Sequence, residues 1–187
     1  IAGPRGILVA GFFDSWGGVE RYGLAALDPR TGRPLPWAPR TGGETAVLPV
    51  AGDRLYVRSS APRITGRLRP GGASFDPALD LTGWRPSHRT YAVLAVGPDR
   101  VAVATGCANG TVGPVDLLDA ATGRPVPGWG PTAPTDCHGG PVARVDGLIW
   151  VAWSDRTRLI LRAFDETDGR LVRRHELALD YGVAALA

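Results

Sequence analysis

Short apolar runs separated by Gly/Asp turns set the pattern of this chain. Ala46-Val47-Leu48-Pro49-Val50 leads through Ala51-Gly52-Asp53-Arg54 into Leu55-Tyr56-Val57. The same order returns as Ala92–Val96, Gly97-Pro98-Asp99-Arg100 and Val101-Ala102-Val103, and again as Val142–Val145, Asp146-Gly147 and Leu148–Val151. Runs rich in β-branched and aromatic residues around such turns predict β-hairpins. Ile7-Leu8-Val9 matches the second strand of this hairpin and lies 48 residues before Leu55, so the register reaches the start of the sequence.

A third apolar run follows each hairpin and ends in a polar turn. Leu24–Arg33 is echoed by Val115–Arg124 and Leu161–Arg170. In each copy an Asp (Asp28, Asp119, Asp165) can accept hydrogen bonds from backbone N–H groups just beyond it. A Gly (Gly32, Gly123, Gly169) then supplies the positive φ that closes the turn. The second copy, Phe75-Asp76-Pro77-Ala78-Leu79-Asp80, keeps the Asp and lacks Thr-Gly-Arg. A fourth segment runs into Trp-x-Pro: Trp37-Ala38-Pro39, Trp84-Arg85-Pro86 and Trp129-Gly130-Pro131, the tryptophans 47 and 45 residues apart. A period in the forties means that one supersecondary unit is repeated.

Four short antiparallel strands repeated radially make a β-propeller. The expected fold is therefore all-β, with about four blades of four antiparallel strands in one propeller region spanning 1–187. The blade parts fall at 1–39 (strands two to four), 44–87, 89–131 and 139–177, with a further blade starting at 181–187. A helical solenoid of similar period is excluded because 17 Pro and 26 Gly punctuate the chain, and no segment sustains a helical apolar stripe.

Composition adds little to this. The chain is 44% hydrophobic and 21% charged, ordinary for a globular protein. No apolar run approaches the roughly 18 residues of a membrane span, so no membrane insertion is expected. The sequence starts at Ile1 within a repeat and has no Met, which reads as a fragment and makes an open arc of a larger propeller the expectation. All 21 basic residues are Arg, which points to a GC-rich bacterial genome. The net charge is only +3 and the arginines are scattered, densest at Arg63, Arg67 and Arg69 and at Arg170, Arg173 and Arg174. Nucleic-acid binding wants a continuous basic stripe with interleaved aromatics. These clusters read as solvated loops and strand edges, and no nucleic-acid partner is expected.

The stretch Ala10–Asp28, with Gly11-Phe12-Phe13, Gly17-Gly18, Arg21 and Leu24-Ala25-Ala26-Leu27-Asp28 before Trp37-Ala38-Pro39, resembles the delta-sixty type of bacterial propeller repeat. The Leu-Asp-x-x-Thr-Gly turn is also similar to the PQQ-like, quinoprotein-type repeat. Kelch repeats fit less well, because Arg58-Ser59 and Ala104-Thr105 stand where those carry Gly-Gly. The resemblance implies a secreted or envelope-associated bacterial protein, of a kind that often binds or scaffolds without catalysis. It also implies that Trp37, Trp84 and Trp129 dock one blade on the next, each ring burying roughly 150–250 Å². A row of exposed tryptophans for a sugar or cofactor is the alternative. The even period favours docking, since a ligand site needs one special blade.

Catalytic signatures are sparse. A PQQ-dependent dehydrogenase would carry vicinal cysteines and a Ca²⁺ cluster, whereas Cys107 and Cys137 are 30 residues apart. Asp165-Glu166-Thr167-Asp168-Gly169 lacks the alternating acids of a calcium loop and matches the repeated turn. Cys137 and His138 are adjacent, so in an extended chain their side chains point apart. His88, His138 and His175 show no zinc spacing with the cysteines. No cofactor, metal or catalytic residue is expected.

In a protein of secreted type Cys107 and Cys137 are candidates for a disulfide, with two separate buried thiols as the alternative. Two functions remain. One is a non-catalytic scaffold or binding module for an unknown protein or glycan partner. The other is a piece of a PQQ-dependent oxidoreductase whose catalytic blades lie elsewhere in the parent chain.

Overall fold

In the computed structural model, residues 2–3, 6–41, 43–51, 54–105, 115–130, 140–154 and 157–178 are described. Among them every regular element is a strand and no helix occurs. All pairings are antiparallel, so the chain is all-β. It forms two compact units, Ile1–Arg89 and Thr90–Ala187.

The first unit holds β1 (Ala2–Gly3), β2 (Gly6–Ala10), β3 (Ser15–Trp16), β4 (Val19–Glu20) and β5 (Leu24–Leu27). It continues with β6 (Thr45–Ala51), β7 (Arg54–Ser59), β8 (Arg63–Ile64), β9 (Arg67–Leu68) and β10 (Ala73–Phe75). Its two sheets run β1-β2-β5 and β6-β7-β10. In each, a two-residue hairpin, β3–β4 or β8–β9, is inserted between the second and third strands. The short pairing of Ala2–Gly3 with Gly6–Ile7 adds a first strand where 1–39 was expected to start at the second. Pro49, which has no N–H to give to a ladder, coincides with a register shift between Leu48 and Ala51.

The second unit holds β11 (Thr90–Ala95), β12 (Arg100–Thr105), β13 (Val115–Asp119), β14 (Val142–Val145), β15 (Leu148–Ser154), β16 (Arg158–Asp165) and β17 (Leu171–Ala178). Its sheets run β11-β12-β13 and β14-β15-β16-β17. The β14–β15 turn is Asp146-Gly147, with φ 51° and 74°. Positive φ at both central residues matches the twist of the flanking strands.

The fourth strand departs from expectation. In three repeats it shrinks to one bridge: Leu27 to Pro34, Phe75 to Leu81 and Leu118 to Pro125. One further N–H continues each, from Leu35 to Ala26, Thr82 to Ser74 and Val126 to Leu117. Pro34 and Pro36 in the first repeat, and Pro125 and Pro127 in the third, remove the donors a longer ladder would need. The fourth repeat has no Pro between 171 and 178, and β17 runs for eight residues.

Each unit buries its own apolar cluster. Leu8, Leu24 and Ala26 of the first sheet meet Leu55, Val57, Ala73 and Phe75 of the second, with Ile64 from β8. In the other unit Ala102, Val115 and Leu117 meet Ile149, Val151, Ile160 and Phe164. Facing sheets bury alternate residues of each strand. Tyr56, between Leu55 and Val57, therefore points to the opposite face.

The degenerate turn of the second repeat is one residue shorter and puts Leu79 at φ 68°. Leu79 stays there because its side chain is buried in the first cluster. Leu79→Ala keeps the left-handed backbone and loses the burial, at about 2–4 kcal/mol. Leu79→Gly loses the same burial and relieves about 1 kcal/mol of backbone strain. Urea unfolding of the two variants is expected to rank Gly at or above Ala in stability. The opposite order would show an unstrained backbone.

Candidate functional site

The three repeated Asp turns are held by their own backbone. Asp28 Oδ1 accepts from the N–H groups of Arg30 and Thr31 at 2.9 and 2.8 Å and from Thr31 Oγ1 at 3.1 Å. Asp119 Oδ1 accepts the equivalent bonds from Ala121 and Thr122, and Asp165 Oδ1 accepts from the Thr167 N–H. The N–H groups of Gly32, Gly123 and Gly169 close each turn onto the Asp carbonyl at 2.9 Å. These bonds favour the carboxylate, so Asp28 and Asp165 are held below the usual aspartate range, chiefly by the Thr31 and Thr167 backbone N–H groups respectively.

The acids of the 165–169 turn are all engaged. Glu166 is clamped by Arg144 at 2.6 and 2.9 Å, and Asp168 accepts from the Arg170 N–H at 2.8 Å. Among the described residues no group of three His, Cys, Asp or Glu side chains can hold a metal ion. Cys107, Cys137 and His138 lie outside the described residues.

The tryptophans take two roles. Trp37 is half-buried and reaches from the first sheet to the second. Its ring meets Phe75 edge-on at 5.2 Å, and its Nε1–H donates to the Leu79 carbonyl at 2.9 Å. Trp129 does the same between the sheets of the second unit, donating to the Asp165 carbonyl at 3.2 Å. Trp84 is fully buried and packs edge-on against Tyr56 of its own repeat at 4.9 Å. Its Nε1–H has no hydrogen-bond partner among the described residues.

A feature missed in the sequence is a buried arginine after each small hairpin. Arg21 donates to the carbonyls of Glu20 at 2.7 Å and Leu35 at 2.5 Å. Arg69, 48 residues on, donates to Leu68 at 3.2 Å and Thr82 at 3.0 Å. Both tie the hairpin to the returning fourth segment. Arg69 thus turns inward, although the cluster Arg63, Arg67 and Arg69 reads as solvated. Burial, with Arg67 and Arg85 nearby, pushes its guanidinium down from the ordinary value. Two residues later in each repeat only Gly fits. A Cβ on Gly23 would lie 2.7 Å from Thr41 Oγ1, and one on Gly71 would lie 2.0 Å from the His88 carbonyl oxygen.

A surface site lies beside the first hairpin. Residues 11–14 pair with 21–23 through Gly11 N to Gly23 O, Gly23 N to Phe13 O and Arg21 N to Asp14 O. This frame sets Phe12, Phe13, Asp14 and Tyr22 around a pocket of about 340 Å³. A second pocket of about 270 Å³, lined by Val19, Glu20 and Arg40, shares Tyr22 with the first. Phe12 is 89% exposed, and Phe13 meets Trp16 edge-on at 5.7 Å. The Arg40 guanidinium stands 5.0 Å over the Tyr22 ring and pairs with Glu20 at 3.3 Å. The hydrogen bond to Glu20 is the main reason that the Tyr22 hydroxyl is held above the ordinary phenol value.

Compared with protein-family models and with curated proteins, the sequence finds no match. Among the described residues no helix is long and apolar enough to cross a membrane.

Proposed function

We propose that this chain is a non-catalytic binding module, an arc of about four β-propeller blades from a secreted or envelope-associated bacterial protein. The observation that carries the reading is the repeated cross-sheet contact. In each unit a tryptophan at the end of one repeat, Trp37 or Trp129, donates to a carbonyl in the Asp turn of the next. Sheets joined face to face by the same contact are how propeller blades stack. The carboxylates of the repeated turns are spent on backbone and Arg partners, which supports a scaffold over a catalytic centre.

One measurement tests this. Dye-linked alcohol oxidation, assayed with added pyrroloquinoline quinone and Ca²⁺, is expected to show no turnover. Turnover would overturn the non-catalytic reading in favour of a quinoprotein fragment. The further blade start expected at 181–187 lies outside the described residues.

A further inference from the structure

We propose that the groove on either side of Tyr22 binds a neutral oligosaccharide, with one sugar ring in each of the two pockets. This deepens the binding-module reading and rests on it. The groove's side chains are additions to the repeat. The second repeat builds the same frame, with Arg69 N donating to Pro62 O as Arg21 N does to Asp14 O. At the positions of Phe12, Phe13, Asp14 and Tyr22 it carries Ser60, Ala61, Pro62 and Pro70. The fold therefore needs none of the three rings or the carboxylate. Phe12, almost wholly in water, gains nothing from packing where it stands.

The chemistry selects the ligand. An exposed, stiff aromatic face accepts the C–H face of a pyranose and loses little conformational freedom on binding. Among the described residues the polar side chains around it include two acceptors, the carboxylates of Asp14 and Glu20, and two guanidinium donors: Arg40, and Arg21, which lines the second pocket and donates to the backbone carbonyls of Glu20 and Leu35. Vicinal sugar hydroxyls donate to a carboxylate in pairs and also accept from a guanidinium. A proline-rich peptide brings carbonyl acceptors and finds few donors here. An alkylammonium ligand would want the Tyr22 face that Arg40 already covers, and would be repelled by Arg40. The two pockets meet at Tyr22, which suits a linear chain better than a single sugar.

The test is calorimetric titration of the whole chain with three linear hexamers: β-1,4-glucose, α-1,4-glucose and β-1,4-N-acetylglucosamine. Aromatic NMR shifts follow the site, and tetramethylammonium and a decaproline peptide serve as rival probes. At least one hexamer is expected to bind with a Kd between ~10 μM and ~1 mM, or about −7 to −4 kcal/mol. Its shifts should fall on the Phe12, Phe13 and Tyr22 rings. Phe12→Ala and Asp14→Asn, both exposed positions that leave the Tm unchanged, should each weaken it about tenfold or more. The proposal is overturned if no hexamer binds at ~10 mM, if the shifts fall on other rings, or if a rival probe takes the groove in place of the sugars. Such a result leaves the non-catalytic module standing, because that reading falls on quinone-dependent turnover.

Discussion

Trp84→Ala is expected to destabilise the first unit by about 3–5 kcal/mol, the range for emptying a fully buried aromatic site. The indole has no exposed surface, lies edge-on to Tyr56, and its Cζ3 would be 3.6 Å from a Cβ on Gly72. Little around it is free to collapse into the space. Trp84→Phe should recover most of the loss, because the indole N–H has no acceptor to forfeit among the described residues. The same change at Trp129 should lose about 1 kcal/mol more for the bond to the Asp165 carbonyl. Trp37→Ala should cost less than Trp84→Ala, since Trp37 is only half-buried. Urea unfolding followed by circular dichroism gives all four values. A Trp84→Ala cost below about 1.5 kcal/mol would mean that the site closes up, contrary to its close packing.

Arg69→Ala is expected to cost about 2–4 kcal/mol. It removes a charged donor from two carbonyls, those of Leu68 and Thr82, and leaves them without it inside the sheet edge. Arg69→Lys should rescue less than half of this, because one ammonium cannot span two carbonyls as a planar fork does. Arg21→Ala should behave alike, and the double variant should be additive within about 0.5 kcal/mol, the two ties sharing no partner. Full rescue by Lys, measured in the same urea series, would show that charge matters there and the fork does not.

The hairpins could be read from the residues because their signals are local. Asp146-Gly147 closes β14 onto β15 within two residues, and Asp28 satisfies its neighbours' N–H groups within three. The fourth strand is shorter than the repeat pattern predicts for a reason also visible in the chain: Pro34, Pro36, Pro125 and Pro127 cannot donate to a ladder. The arginine ties were hidden because Arg21 finds the Leu35 carbonyl 14 residues away. In a chain with 21 arginines nothing local separates such a residue from a solvated one. The available signal was periodic: Arg-x-Gly at 21–23 recurs at 69–71. The pocket was hidden differently. Phe12 and Phe13 look like part of the repeat until the first copy is set against Ser60-Ala61 in the second.

The last strand, β17, has all but its first residue exposed, and it lies at the sheet edge. It is held by the ladder and the Arg158–Glu176 pair at 2.6 Å to β16, and by the stacking of His175 on Trp150 of β15 at 6.0 Å. An element with so little buried apolar surface opens locally at far less free energy than the core strands. Amide exchange in 171–178 therefore reports the fraying of one strand, while amides of β12 and β15 report the melting of the unit. Arg158 and Arg174 hold Glu176 below the usual glutamate range, Arg158 foremost, so its contribution is complete above the unfolded value of about 4.3 and is lost as pH falls through the folded one. Acid thus weakens one tie of this strand by the small amount a surface ion pair is worth, and amides in 171–178 are expected to respond to it before those of β15.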